Sequence, residues 1–171
     1  MADLAAHFEH LDLQRVSTYI NSGNVLFDTR TRSLSKLAAK IEDQLEPLLG
    51  FRSEVFLRSA SEVHAVAKLA VEHRHSVPDS GEVNVAFLPA PLTTEQQSAL
   101  MELRTNLDDF SYSGREVYWL CNGNQMESKF SNALLERRLR IRCTFRRVSM
   151  LQKLSTQLST AWESSPGESH P

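Results

Sequence analysis

Hydrophobic and polar positions alternate with two periods along the chain, and they predict short helices and strands. Apolar residues at helical spacing predict one helix over residues 2–11 and another between Ser33 and Gly50. Two β-rich runs, 16–20 and 24–28, flank a short polar connection and predict a hairpin. A further strand is expected over 54–58. The predicted order of this first part is therefore α-β-β-α-β.

The second part repeats this order with one additional strand. Ser59 and Glu62 form a capping box that opens a helix, and a polar loop follows that helix. The remaining predicted elements are a strand over 83–88, a helix after Thr93, two strands around Ser113 and Gly114, a helix over 128–139, a strand over 142–148 and a helix over 150–158. The order β-α-β-β-α-β after the loop is that of a split βαβ, or ferredoxin-like, unit.

We therefore predict an α+β protein of two similar ferredoxin-like subdomains, the first missing its opening strand. The first subdomain spans residues 1–75 and is incomplete at its N-terminus, and the second spans 82–158. Residues 159–171 are polar and rich in Pro and Gly, which predicts a disordered tail. The opening strand of such a unit lies inside its sheet, so its loss would leave a gap between two strands.

Composition places the chain among globular proteins. It has 171 residues, of which 41% are hydrophobic and 23% charged. It contains no apolar run of about 20 residues and no export signal, so we expect no membrane association and a cytoplasmic location. Cys121 and Cys143 lack metal-site spacing, and the pairs His73/His75 and His7/His10 lack a third ligand. We therefore expect no metal and no cofactor.

Charge is distributed unevenly along the chain. The formal net charge is −2, yet residues 127–153 hold eight cations and two acids, a net charge of +6. A small anionic ligand is therefore a candidate partner of the C-terminal third.

Four segments carry a family resemblance: "TYINSGNVLFDT", "GREVYWL", "ESKFSNALLERRL" and "KL" at 153–154. They resemble the bacterial family of unknown function numbered 1697, over about Leu4 to Leu158. The resemblance implies two related α+β subdomains but no reaction. It also implies an opening strand before the present Met1, so we hypothesise that Met1 is an internal methionine or that the gene is truncated.

The bend at residues 21–24 poses a choice between a hairpin turn and a phosphate-binding loop. Phosphate loops need several glycines before a helix, whereas Gly23 stands alone and precedes a strand. The hairpin is therefore the favoured interpretation. Asn21, Ser22, Gly23 and Asn24 are kept as candidate ligand contacts because they are polar or glycine residues at a fixed bend.

The helix start in "ESKFSNALLE" is the second candidate ligand site. If the helix begins near Ser128, its N-terminus can bind an anion through the free backbone N–H groups. The side chains that would join them there are Lys129, the Ser131 hydroxyl and the Asn132 amide. The alternative is that Ser128 caps the helix and Lys129 faces solvent. The resemblance adds Arg146 and Lys153, although residues 146–150 lack the aromatic and the amides of the family's segment.

Two other functions remain open. The first alternative is an enzyme that acts on such an anion, for which the sequence identifies no catalytic residue. A carboxylate or histidine near Lys129 would favour this alternative. The second alternative is nucleic-acid binding through the basic segment 137–147. It requires that Arg140, Arg142 and Arg146 project together from one face of a strand. In that arrangement the residues between them, Ile141, Cys143 and Phe145, would pack on the core.

Overall fold

The chain divides into two units, Met1–Leu57 and Arg58–Pro171. The computed structural model describes residues 13–19 and 23–163, with side chains as far as residue 160. Within these residues the fold is mixed α+β, with two β-sheets and five α-helices. No helix in this part of the chain combines the length and the apolar character needed to cross a bilayer.

In the first unit, an antiparallel hairpin packs against one helix. Strand β1 (Gln14–Tyr19) pairs with β2 (Asn24–Asp28), and helix α1 (Leu34–Leu49) follows. Gly50 ends this helix with a left-handed φ of 73°. The predicted helix over residues 2–11 lies outside the described residues. The apolar faces of the hairpin and the helix form a small core whose buried members are Leu13, Leu37 and Ile41.

Residues 54–58, which the sequence predicts as a strand, are not part of a sheet. The backbone N–H of Val55 donates to Oε1 of Glu42 on α1, at 3.0 Å. Arg52 pairs with the same carboxylate, at 3.2 Å. The strand prediction is wrong here because side chains of α1 bind this segment and occupy a backbone donor that a strand partner would need.

The second unit is built on a four-stranded antiparallel sheet with helices on both faces. Its strands are β3 (Glu82–Phe87), β4 (Asp108–Ser113), β5 (Glu116–Cys121) and β6 (Thr144–Arg147), and its helices are α2 (Ala60–Arg74), α3 (Thr94–Met101), α4 (Asn132–Leu139) and α5 (Val148–Glu163). The strand order is β4-β5-β3-β6, and every neighbouring pair is antiparallel. Strand β3 therefore has partners on both sides.

Side chains alternate across this sheet, so its two faces contact different helices. One face carries Ala86, Val117 and Phe145, which share a core cluster with Leu100 of α3 and Leu135 of α4. We call this side the α4 face. The aromatic residues Phe110, Trp119 and Phe130 belong to the same cluster.

The opposite side, which we call the α2 face, carries Val85 and Tyr118. The Tyr118 ring lies 5.0 Å from the ring of His73 on α2, and α5 packs on α2. Helix α2 therefore belongs to the second unit, whereas the sequence groups it with the first subdomain over 1–75. The reason is that its apolar side chains cover this sheet, a contact that its local sequence does not reveal.

Helix α5 also changes the predicted C-terminal boundary. It continues to Glu163, so residues 159–163 of the predicted tail are helical. Residues 164–171 lie outside the described residues.

A buried ion pair fixes the first residue of the second unit to the sheet. Nε of Arg58 lies 2.6 Å from Oε1 of Glu116, and the two side chains are 4% and 9% exposed. The same guanidinium donates to the carbonyl oxygens of Leu88 and Arg115, at 2.8 and 3.1 Å. It also lies over the ring of Phe87, 5.3 Å from its centroid. The charge of Arg58 is thus compensated on several sides.

Candidate anion site at the start of helix α4

The glycine bend of the first unit is a hairpin turn. Tyr19 and Asn24 are directly opposite in the antiparallel pair β1-β2. Gly23 adopts a φ of +72°, a conformation that favours glycine. The hairpin interpretation is therefore confirmed, and a strand, not a helix, follows the glycine. The candidate contacts Asn21 and Ser22 lie outside the described residues.

Helix α4 begins at Asn132, later than the start predicted near Ser128. Its N-cap is Ser131, whose hydroxyl accepts a hydrogen bond from the N–H of Leu134 at 3.2 Å. Ser128 is instead bound elsewhere: its hydroxyl donates to Oδ1 of Asp108 at 2.7 Å and accepts from the N–H of Phe130. Ser128 therefore anchors the loop before the helix and is not at the helix terminus.

Asp108, on strand β4, binds this loop through hydrogen bonds. Its side chain is on β4 and the residue is only 3% exposed. Oδ1 accepts hydrogen bonds from Ser128 and from the indole N–H of Trp119, the latter at 2.8 Å, and Oδ2 accepts from the hydroxyl of Thr105 at 2.9 Å. Both oxygens of this buried carboxylate are consequently occupied, as burial of a charge requires.

Phe130 places the same loop over the centre of the α4 face. Its ring lies 4.7 Å from Trp119, 4.8 Å from Phe110 and 6.2 Å from Phe145, measured between centroids. These three aromatic residues come from β5, β4 and β6. Lys129 and the first turn of α4 therefore flank a residue that packs across the width of the sheet, and Lys129 itself is exposed.

A single row of side chains crosses the sheet beneath this loop. Phe110 is opposite Trp119, Trp119 is opposite Asn84, and Asn84 is opposite Arg147. Directly opposed residues of an antiparallel pair project from the same face, so all four lie on the α4 face. Asn84 is 7% exposed, and its Nδ2 is buried and meets no hydrogen-bond acceptor. Arg147, next to it, is exposed.

The register assigns the two arginines of β6 to different faces. Arg146 is opposite Val85 and therefore lies on the α2 face. Its guanidinium donates to the Thr144 hydroxyl at 2.7 Å and to the Phe145 carbonyl at 2.8 Å, and burial lowers its pKa. The structure does not bring Arg146 to the start of α4. The cation of β6 on that face is Arg147.

Comparison with known proteins assigns the chain to a family. A family profile described as "Protein of unknown function (DUF1697)" matches residues 1–118. The chain belongs to this family. None of the curated proteins matches it. The profile match ends before α4, so it does not include the segment 128–139.

A solved structure resembles this DUF1697 protein over most of its length. It is the structure of conserved bacterial protein SP0830 from Streptococcus pneumoniae, with a TM-score of 0.69 and 23% sequence identity. The match covers 93% of this chain and 88% of that chain. At this identity the likeness concerns the fold alone.

The other predicted contacts of this DUF1697 member are dispersed. Lys153 is exposed on α5, which packs on the α2 face, away from the face that carries Lys129. Asn132 is at the helix start as predicted, and its Oδ1 accepts a hydrogen bond from the thiol of Cys143 at 2.8 Å. Lys129, Ser131 and Asn132 are therefore the predicted residues that the structure keeps together.

The basic segment does not form one arginine face. Arg140 ends α4 in a left-handed conformation, Arg142 pairs with Glu136 at 3.7 Å, and Arg146 is on the α2 face. Only the alternating apolar residues agree with the prediction, because Ile141, Cys143 and Phe145 all join the core cluster of the α4 face.

Asn84 and Arg147 are the residues that the sequence did not single out. A signal for Asn84 existed: it is the polar residue within the otherwise apolar run 83–88, at a position that shares its face with Ala86. Arg147 had no comparable signal, since only the pairing of β6 with β3 determines its face.

Proposed function

We propose that the second unit binds a small phosphorylated or carboxylated ligand at the start of α4. The observation that carries this proposal is the buried Nδ2 of Asn84, which has no acceptor. An amide left in this state costs about 1–3 kcal/mol, because it is buried and no protein acceptor binds it. A ligand oxygen would supply the acceptor. The proposed contacts are Asn84, Lys129, Ser131, Asn132 and Arg147.

Electrostatics at this position favours an anion. Lys129, in the loop held by Phe130, and Arg147, on the same face of the sheet as Phe145, are both exposed cations. The first N–H groups of a helix lack intrahelical acceptors and carry partial positive charge. The Ser131 hydroxyl binds the N–H of Leu134, which leaves the N–H groups of Asn132 and the following residue for a ligand. Carboxylate and phosphate oxygens both suit this set of donors.

Binding is better supported than catalysis. An enzyme acting on such an anion would need a general acid or base beside Lys129. Asp108 is the buried carboxylate beneath this loop, and three hydrogen bonds from Ser128, Trp119 and Thr105 occupy its oxygens. No group of three His, Cys, Asp or Glu side chains able to hold a metal occurs among the residues that the structure describes.

We also propose that the second unit is ferredoxin-like and that the described elements of the first unit repeat part of it. The order β-α-β-β-α-β with sheet order β4-β5-β3-β6 supports the first part, because the split βαβ arrangement places its opening strand between the third and the last. The order β1-β2-α1 in the first unit corresponds to β4-β5-α4 in the second unit, which supports the proposed relation between the two units. Two buried free thiols support a cytoplasmic location.

The test is thermal unfolding of the full chain with inorganic phosphate and a panel of phosphorylated and carboxylated metabolites. A ligand at 100 times its dissociation constant stabilises the folded state by about 2.7 kcal/mol. Asn84→Leu should abolish the shift of any active compound. The same substitution should leave the ligand-free protein equally or more stable, because it replaces an unsatisfied buried amide by an apolar group.

Matched lysine variants give the control. Lys129→Ala should weaken binding, whereas Lys68→Ala, at an exposed lysine of α2, should not. Full retention of the ligand-induced shift in Asn84→Leu would contradict the proposal. The ligand-free Asn84→Leu protein could also be clearly less stable than wild type. That result would mean that the Asn84 amide is not unsatisfied, and the proposal would lose its main support.

A further inference from the structure

An open cleft lies along α4, from Leu134 to the C-cap residue Arg140, and reaches the end of α3. Its volume is about 510 Å³, within the range of small-ligand sites. The floor is apolar and the rim is charged. The lining residues are Glu102, Leu103, Leu134, Arg137, Arg138 and Arg140.

The rim has an excess of positive charge. Three arginines face one glutamate, which gives the cleft a formal charge of +2. Arg138 forms an ion pair with Glu102, so Arg137 and Arg140 are the cations that remain for a ligand. Both are exposed. A guanidinium binds phosphate oxygens through two parallel hydrogen bonds, and a phosphate monoester carries about −1.5 to −2 charges at neutral pH.

Arg140 occupies a backbone position that glycine would fill at lower cost. It is the C-cap of α4, with φ 53° and ψ 43°. A left-handed residue at this position is usually glycine, since a Cβ atom is crowded there. Strained residues that persist in folded proteins cluster at ligand sites. The arginine at the lip of the cleft thus adopts a backbone conformation that its Cβ atom disfavours.

A purely structural role explains only some of these cations. Lysine and arginine in the last turn of a helix stabilise its dipole, and Arg137 and Arg138 are in that turn. The dipole does not require an arginine in the left-handed cap position itself. It also does not explain why Leu103 and Leu134 are left partly exposed on the cleft floor.

We infer that this cleft binds an organic phosphate monoester with an apolar body. The phosphate lies between Arg137 and Arg140, and the apolar body covers Leu103 and Leu134. This site is separate from the one proposed at the start of α4, and neither depends on the other.

The test is a titration of the ¹⁵N-labelled full chain with phenyl phosphate, followed residue by residue through amide chemical shifts. Saturable shifts are expected at Leu103, Arg137 and Arg140. Arg140→Gly should raise the dissociation constant about tenfold or more, as expected for loss of a charge-assisted hydrogen-bond pair. The same variant should unfold at an equal or higher temperature than wild type. Arg142→Gln, an exposed arginine that does not line the cleft, should bind normally.

Several results would overturn this inference. They are unchanged binding by Arg140→Gly, a lower unfolding temperature of that variant, absence of saturable shifts up to solubility, or equal affinity for inorganic phosphate. Shifts at Ser131 and Asn132 in place of the cleft residues would reject the cleft and support the first site. Asn84→Leu should leave the cleft titration unchanged, so the two proposals fail separately.

Discussion

Replacing Arg58 by methionine tests what holds the start of the second unit on its sheet. The substitution preserves much of the side-chain length but removes the charge. Glu116, at 9% side-chain exposure, is then left without its ion-pair partner 2.6 Å away. The carbonyl oxygens of Leu88 and Arg115 lose a donor as well. The variant therefore creates an uncompensated buried carboxylate.

The expected loss follows from the burial of both partners. Removing one member of a buried ion pair costs about 3–5 kcal/mol, mainly because the remaining charge is desolvated. The double variant Arg58→Met/Glu116→Leu removes both charges and should recover most of this loss. An exposed pair of the same length is expected to contribute about 0–1 kcal/mol.

The second unit contains that exposed pair, which serves as the control. Nε of Arg104 lies 2.6 Å from Oδ1 of Asp109, with side-chain exposures of 53% and 46%. Arg104→Ala therefore removes an ion pair of equal length at the surface. Urea unfolding followed by circular dichroism gives the free energy of unfolding for each variant, provided that the slope against urea stays constant.

The comparison can refute the reasoning directly. If Arg58→Met and Arg104→Ala lose the same free energy, burial is not what makes the Arg58 pair important. If the double variant is no more stable than Arg58→Met alone, the lone carboxylate of Glu116 is not the source of the loss.

Two further predictions concern helix starts. Burial raises the pKa of Glu62, but hydrogen bonds from the Ser59 N–H and from Arg115 outweigh it, so the net pKa is below its ordinary value of 4.5. This contribution to stability is complete above pH 4.5 and is lost as the pH falls through the lower folded-state pKa, so Glu62→Gln should flatten the acid side of a plot of unfolding temperature against pH. A Ser131→Ala variant should lose about 1 kcal/mol in urea unfolding because α4 loses its cap; equal stability would show that the cap bond at Leu134 is unimportant.

Local sequence signals predicted those elements whose contacts are local. The capping box of Ser59 and Glu62 is present at the start of α2. The alternation of Ile141, Cys143 and Phe145 placed them correctly on the core. Short-range spacing determines both features, so no knowledge of the rest of the chain was needed.

The features that sequence could not supply depend on distant partners. Ser128 looked like a helix cap, but Asp108, twenty residues earlier, binds its hydroxyl and moves the helix start to Asn132. Arg146 and Arg147 are equivalent in sequence, and only the pairing of β6 with β3 separates their faces. The missing acceptor of Asn84 likewise becomes visible only when three strands are placed side by side.

The position of Trp119 has a practical consequence. Its indole ring is in contact with Phe130 and directly opposite Asn84, so an oxygen arriving at that amide changes the polarity beside an intrinsic fluorophore. The chain contains two tryptophans, and the other is Trp162. In a Trp162→Phe background the emission maximum would report on this single location, and compounds could be screened optically without any label.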